Sequence, residues 1–317
     1  MRIAILGATG HIGSWLVPRL VRERHDVVAV SRGVRKPYHE APEWSSVAHV
    51  TMDRTMAEND GSYGSRIAAL EPDVVIDLIC FEVSSARRLV EALRGRVELF
   101  LHCGTLWVHG ATRSCPYNES APREPFGEYG IRKAAIERYL LEEATHGFPA
   151  AVFHPGHISG PGWTPINPAG NLDIRVFEKL ARGETVTLPD DGAARLQHVH
   201  ANDVAQAFAL AVAHPAEAIG NAFHVAAHEP VTMRDYAMQA ANWFGRGANI
   251  EYVPLNDWVT SVSDENATIT RDHVMHSPCA SIEKACSRLG FHPEYSAVAA
   301  AEDAVSWLVE KGRITVS

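Results

Sequence analysis

The feature that most constrains this chain is its start, where Arg2-Ile3-Ala4-Ile5-Leu6 runs straight into Gly7-Ala8-Thr9-Gly10-His11-Ile12-Gly13. A short apolar run that stops at a glycine reads as a buried strand. Trp15, Leu16, Val17 and Leu20, on helical spacing, read as the helix that follows. Glycines at positions 7, 10 and 13 let the backbone turn tightly and leave no side chain between the helix N-terminus and a ligand. The unpaired N–H groups and the positive end of the helix then converge on one point, which makes an anion site. Such a turn can serve tight packing alone, but here it sits between a clear strand and a clear helix. A pyrophosphate fits it, so the segment reads as the first unit of a dinucleotide-binding fold, with Gly7, Thr9, Gly10, His11, Ile12 and Gly13 as the cradle.

A second apolar strand, His25-Asp26-Val27-Val28-Ala29-Val30, ends at Ser31-Arg32-Gly33. An acid at this point would hold the adenosine 2′-hydroxyl of NAD, whereas a small polar residue followed by arginine suits the 2′-phosphate of NADP. The acid is missing and Arg32, Arg35 and Lys36 follow, which favours NADP over NAD with Ser31 and Arg32 as contacts. Residues 47–50 read as a third strand, and Asp53 beyond it is placed to meet the adenine edge. Residues 58–70 read as a helix. Asp73-Val74-Val75-Ile76-Asp77-Leu78-Ile79 then reads as a strand covered on both faces, with Leu78 at the cofactor. A helix over 84–93 and a fifth strand over 98–102 keep the alternation going, which implies a doubly wound α/β parallel sheet with ligands at the carboxyl ends of its strands.

Composition narrows the partners. A chain of 317 residues can bury one large or two medium cores, and a net charge of −9 with no long basic run argues against sequence-independent nucleic-acid binding. No apolar run is long enough to cross a bilayer, and a strand beginning at residue 2 leaves no room for a signal peptide. Cys80, Cys103, Cys115, Cys279 and Cys286 are odd in number and scattered, and read as reduced thiols of a cytoplasmic protein. Despite 17 histidines no metal-ligand spacing occurs; His198 and His200 read as alternating positions of a strand, and no metal is expected.

The fifth strand delivers Cys103-Gly104-Thr105 to the cleft, and an irregular loop over 110–125 follows. In the next helix, running to about residue 143, Tyr129 and Lys133 are four apart and share a face. An ammonium beside a phenol favours phenolate and brings the tyrosine toward the working range of a proton-transfer group. The pair alone is a weak signal, because it arises by chance on many solvated helices.

Taken together, the glycine loop, Thr105 and the Tyr129–Lys133 pair resemble the extended branch of the short-chain dehydrogenase/reductase superfamily, which includes nucleotide-sugar epimerases and dehydratases. The likeness runs along the whole chain. Gly104-Thr105-Leu106-Trp107-Val108-His109-Gly110 is similar to a family Ser-Ser-x-x-Val-Tyr-Gly stretch, with His109 in place of tyrosine. His154-Pro155-Gly156-His157-Ile158-Ser159-Gly160-Pro161 resembles the Arg-Pro-x-Asn-x-Tyr-Gly-Pro segment that passes the nicotinamide, with His154, His157 and Ser159 as departures. Residues 195–205 match the family's Arg-Asp-x-x-His-Val-x-Asp-Val-Ala segment, and Ser281-Ile282-Glu283-Lys284-Ala285 with Leu289-Gly290-Phe291 resembles its C-terminal Ser-x-x-Lys-Ala…Leu-Gly-Phe element. The Ser31-Arg32 ending also resembles a branch near the chloroplast stem-loop-binding proteins.

The resemblance implies hydride transfer at the nicotinamide coupled to proton transfer at a substrate oxygen. Tyr129 is then the general acid/base, Lys133 binds the nicotinamide ribose and holds the tyrosine down, and Thr105 orients the substrate oxygen. Pro155 and His157 lie beside the nicotinamide, while Trp107, His109, Asn171 and Arg195 meet the substrate, Asn171 near a nucleotide and Arg195 at a phosphate, with a helix N-cap and a surface charge as the respective alternatives for the last two. It further implies a Rossmann domain from residues 1–155 plus about 196–227, a smaller substrate domain from 156–195 plus 228–317, and a homodimer through the helices at 84–93 and 129–143. The substrate is a sugar, a nucleotide-sugar or a small carbonyl or alcohol. A second reading is a non-catalytic NADP-binding regulator or RNA-associated scaffold, against which the acidic charge and the retained Thr105, Tyr129 and Lys133 weigh.

Overall fold

The structure is a computed structural model that describes residues 1–316. The opening segment folds as read, into β1 (Arg2–Leu6) and α1 (His11–Arg22). The chain continues through β2 (Asp26–Ser31), β3 (Ala48–Thr51), the short helices α2 (Arg54–Asn59) and α3 (Tyr63–Ala68), and β4 (Val74–Asp77). Next come α4 (Val83–Leu93), β5 (Leu99–Cys103), α5 (Gly127–Thr145) and β6 (Ala150–Pro155). It then leaves this sheet for β7 (His157–Ser159), α6 (Arg175–Arg182), β8 (Thr185–Pro189), β9 (Arg195–Leu196) and β10 (His198–His200). Through α7 (Ala201–Ala213) and α8 (Pro215–Ala218) it returns at β11 (Ala222–Val225). It closes with β12 (Val231–Thr232), α9 (Met233–Trp243), β13 (Asn249–Val253), α10 (Leu255–Trp258), α11 (Asp264–His276), α12 (Glu283–Leu289) and α13 (Ala297–Glu310).

Seven strands form one parallel sheet in the order β11-β6-β5-β4-β1-β2-β3. β1 lies inside the sheet, between β4 and β2, because Ile3, Ala4, Ile5 and Leu6 have no polar face to show to water, and all four are fully buried. One face of the sheet is covered by α1 and α7, whose Leu16, Val17, Val204 and Phe208 share a cluster with Ile3 and Ile5. The other is covered by α3, α4 and α5 through Ile67, Leu89, Val90 and Ile136. The expected helix over 58–70 is broken by Gly61, whose φ of 76° suits a turn, into α2 and α3. A third cluster, including Phe177, Leu188, Tyr236, Trp258 and Leu308, fills the smaller part of the molecule. Ile282, Ala285, Leu289 and Phe291 of the C-terminal motif do not join that third cluster; they pack with α7 on the face of the large sheet. Among the described residues no helix is long and apolar enough to cross a membrane.

The cysteine reading needs correcting. Cys115 and Cys279 form a disulfide, with Cα atoms 5.2 Å apart across 164 residues of sequence. What brings them together is a parallel bridge between Tyr117 and Ala280, in which Tyr117 N–H donates to the Cys279 carbonyl at 2.9 Å and Ser281 N–H donates to the Tyr117 carbonyl at 2.7 Å. Cys80, Cys103 and Cys286 are free thiols.

Candidate functional site

At the end of β1 the Gly7 N–H donates to the Val30 carbonyl at 3.0 Å and Gly10 N–H to the Gly7 carbonyl at 2.9 Å, which closes the turn. Gly7 needs its freedom: φ is 91°, and a Cβ there would lie 2.6 Å from the Ile79 side chain. Gly13 needs its lack of a side chain, because a Cβ would lie 2.3 Å from the Ala8 carbonyl oxygen. No side chain caps α1 at Gly10, so its first N–H groups are free for a ligand. This cradle fits a dinucleotide pyrophosphate. Arg32 is exposed without an ion-pair partner among the described residues, whereas the Arg35 guanidinium donates to the Tyr38 hydroxyl.

One continuous cleft of about 790 Å³ gathers most of the predicted residues. It is lined by Gly7, Thr9, Gly10, His11, Ile12, Gly13, Ser31, Arg32, Asp53, Leu78, Pro155 and His157, and by Thr105, Trp107, Tyr129 and Lys133. Its size is that of a small-molecule site. Asp53 also caps α2, its carboxylate accepting the Met56 N–H at 3.0 Å.

Three predicted substrate contacts lie elsewhere. His109 is buried behind the wall, its Nε2 2.8 Å from His224 Nε2 and its Nδ1 3.2 Å from the Pro122 carbonyl. Asn171 is 2% exposed and belongs to a buried hydrogen-bonded turn: its Oδ1 accepts from Asn167 at 2.6 Å and its Nδ2 donates to Thr270 at 3.0 Å. Arg195 lies in β9, where pairing with β12 directs the backbone, and it does not line the cleft; its N–H donates to the Ser277 hydroxyl at 2.9 Å. Conversely, Phe81, Trp163, Gln197, His273 and Pro278 line the cleft without having been singled out. His273 and Pro278 come from the end of α11 and the segment after it, where no local sequence pattern marks a cleft wall. His276, one turn on, stacks between Trp107 at 4.1 Å and Phe126 at 3.9 Å between ring centres, which fixes that wall.

The electrostatics of the Tyr129–Lys133 pair also differ from expectation. Lys133 is 2% exposed, and its ammonium donates to the carbonyls of Cys80 at 2.8 Å and Cys103 at 2.7 Å. Burial pushes its pKa down. Tyr129 is 43% exposed, yet its hydroxyl lies deep enough that burial, reinforced by Cys103, pushes it up to about 12, with nearby Thr105 pulling the other way. Thus the ammonium is engaged by backbone carbonyls. Thr105 itself starts the turn at Leu106–His109, its hydroxyl oxygen accepting the Trp107 N–H at 3.3 Å.

Similar proteins are known. The chain is 29% identical over 265 residues to the 2′-dehydrokanamycin reductase of Streptomyces kanamyceticus, covering 81% of this chain and 70% of that one. It is 29% identical over 234 residues to a UDP-glucose 4-epimerase of Mycolicibacterium smegmatis, covering 67% and 73%. It is 27% identical over 323 residues to the chloroplast stem-loop binding protein of 41 kDa b of Arabidopsis thaliana, covering 99% and 80%. The fold is that of the UDP-glucuronic acid 4-epimerase of Bacillus cereus, whose structure with UDP-glucuronic acid and NAD superposes with a TM-score of 0.72 at 17% identity over 98% of this chain and all of that one. The sequence profile of one family runs along residues 3–226, from β1 to just past β11, and so takes in the glycine turn and the whole seven-stranded sheet. The chain therefore belongs to the NAD dependent epimerase/dehydratase family, and is an NAD(P)-dependent epimerase, dehydratase or reductase.

Proposed function

We propose that this protein is an NADP(H)-preferring reductase of a sugar carbonyl, with Tyr129 as the proton donor. The observation that carries the reading is the meeting of Thr105, Tyr129 and Lys133 with the glycine cradle in one cleft. When bound, the nicotinamide supplies the hydride. The Gly7–Gly13 turn and the N-terminus of α1 hold the pyrophosphate, and Ser31 and Arg32 hold the adenosine 2′-phosphate. Lys133 reaches the nicotinamide ribose once its carbonyl partners are exchanged. Thr105 hydrogen-bonds the substrate oxygen, and Tyr129 passes its proton to that oxygen as charge develops there. The positions of Asn171 and Arg195 outside the cleft support a substrate without a nucleotide diphosphate. The 2′-dehydrokanamycin reductase relative also supports a sugar carbonyl.

The division into a Rossmann part, residues 1–155 with 196–227, and a substrate part, 156–195 with 228–317, belongs to this reading, as does a homodimer through α4 and α5. A second reading, the epimerisation of a nucleotide-sugar, has support from the UDP-glucose 4-epimerase relative. A third, an RNA-associated scaffold, has support from the chloroplast stem-loop binding relative. Stoichiometric NADPH consumption with a keto-sugar supports the reductase. Turnover of UDP-glucose without added cofactor replaces it with the epimerase, and tight, steeply salt-dependent RNA binding without turnover replaces both. In Tyr129→Phe, turnover falls by about 10²- to 10⁴-fold while NADPH binding is retained. Unchanged turnover removes Tyr129 from the reaction.

A further inference from the structure

Beneath Thr105 lies a chain of polar groups that the reaction above does not use. The Thr105 backbone N–H donates to His154 Nδ1 at 3.0 Å, linking the end of β5 to β6 across 49 residues of sequence. The approach is tight: Gly104 N–H donates to the Phe153 carbonyl at 2.6 Å, and a Cβ on Gly104 would lie 2.3 Å from His154 Nδ1. His154 Nε2 lies 3.1 Å from Glu137 Oε1 in a bent contact, and the Arg123 guanidinium lies 2.5 Å from the same carboxylate oxygen. His154 is fully buried and Glu137 is 3% exposed. Although burial pushes the Glu137 carboxyl up, the Arg123 guanidinium paired with it holds it low and keeps it ionised.

These contacts determine where the imidazole proton sits. A backbone N–H can only donate, so Nδ1 must present its lone pair, and the proton of a neutral ring is then on Nε2. An ionised carboxylate 3.1 Å from Nε2 favours that arrangement, since the alternative tautomer would set a lone pair against the carboxylate and an N–H against an N–H. We infer that His154 and Glu137 are positioning residues for the reaction: Arg123 and Glu137 fix the Nε2–H tautomer of His154, whose Nδ1 holds the Gly104–Thr105 backbone so that the Thr105 hydroxyl faces the cleft. The inference rests on the role given to Thr105 above. Family resemblance does not supply it, because the family pattern places arginine where this chain has His154.

The test uses the full chain with ¹⁵N-labelled histidine, in which His154 is assigned by its loss in His154→Gln. The expected result at neutral pH is a neutral ring with the proton on Nε2 and an accepting Nδ1. In Glu137→Gln, whose amide can pair with either tautomer, the His154 signals become a mixture and kcat falls about tenfold or more, with the KM for NADPH unchanged. A purely structural role would lower stability and leave kcat per cofactor-binding site as it was. An Nδ1–H tautomer or an imidazolium in the wild type overturns the inference without requiring any variant to fold. Turnover lost in Thr105→Val but kept in Glu137→Gln overturns the inference alone, whereas turnover kept in Thr105→Val overturns the role of Thr105 and the inference with it.

Discussion

Replacing Gly13 by alanine tests the glycine turn as a machine part rather than as a motif. The added Cβ would sit 2.3 Å from the Ala8 carbonyl oxygen, 2.6 Å from its carbonyl carbon and 2.7 Å from its Cα. The nearest contact is thus about 1 Å short of ordinary van der Waals separation, and every atom involved is backbone, so no side chain can swing away. The start of α1 must move off the turn. Overpacking of this kind costs about 1–3 kcal/mol. With an unfolding entropy of roughly 2.1 cal/mol/K per residue over 317 residues, 3 kcal/mol lowers Tm by about 4.5 °C.

The functional cost should be larger. A 1 Å shift of the free N–H groups at the helix start removes at least one charge-assisted hydrogen bond to a pyrophosphate, worth about 1.5–3 kcal/mol, or about ten- to a hundredfold in Kd. The assay is NADPH titration by fluorescence alongside thermal unfolding, with Gly247→Ala as the control, since no atom lies within 4 Å of a Cβ there. If Gly13→Ala binds NADPH like the control, the turn is not the phosphate site and the reasoning fails.

Other consequences follow from burial and charge. Burial holds His11, His109, His273 and His276 near pKa 4 and His198 near 3, aided at His11 by His200, against 6.5 in an unfolded chain. Their stability contribution is therefore complete above pH 6.5 and is lost as pH falls toward 4, at roughly 1.4 kcal/mol per pH unit for each; urea midpoints that stay flat from pH 7 to 4.5 would contradict this. Five such groups lose several kcal/mol by pH 5.5, a large share of the roughly 5–15 kcal/mol that holds a folded protein together. Removing the Cys115–Cys279 bridge by Cys115→Ser should cost about 2–5 kcal/mol, because it ties together positions 164 residues apart; an unchanged Tm, or a native mass matching five free thiols, would deny the bridge. Arg32→Ala should raise the KM for NADPH at least about tenfold while sparing NADH, and equal effects on both would remove the 2′-phosphate role of Arg32.

Much of the molecule can be read in the chain alone, and the reason is locality. The strand, turn and helix at residues 2–22 form because apolar runs, glycine spacing and helical periodicity act between residues a few positions apart. The same holds for Thr232, which caps α9 by accepting the Asp235 N–H three residues on. The spacing of Tyr129 and Lys133 likewise puts both on the wall of one cleft. Which partner each side chain then finds is a different matter. Lys133 is engaged by the carbonyls of Cys80 and Cys103, 53 and 30 residues away, so the ammonium does not govern the phenol as the local spacing implied.

Tertiary packing also decided which motif positions face the cleft. His109 and Asn171 occupy motif positions, but hydrogen bonds to His224 and Thr270 turn them into the interior. Cys115 and Cys279 meet only because Tyr117 and Ala280 pair as strands, and His154 finds Thr105 only because β5 and β6 are neighbours in the sheet. The sequence by itself determined most elements of the large sheet, the glycine turn and the chemistry on offer. Only the fold decided which groups are dry, which are paired and which are ionised, because desolvation and charge act through distance in space, and no pattern along the chain records it.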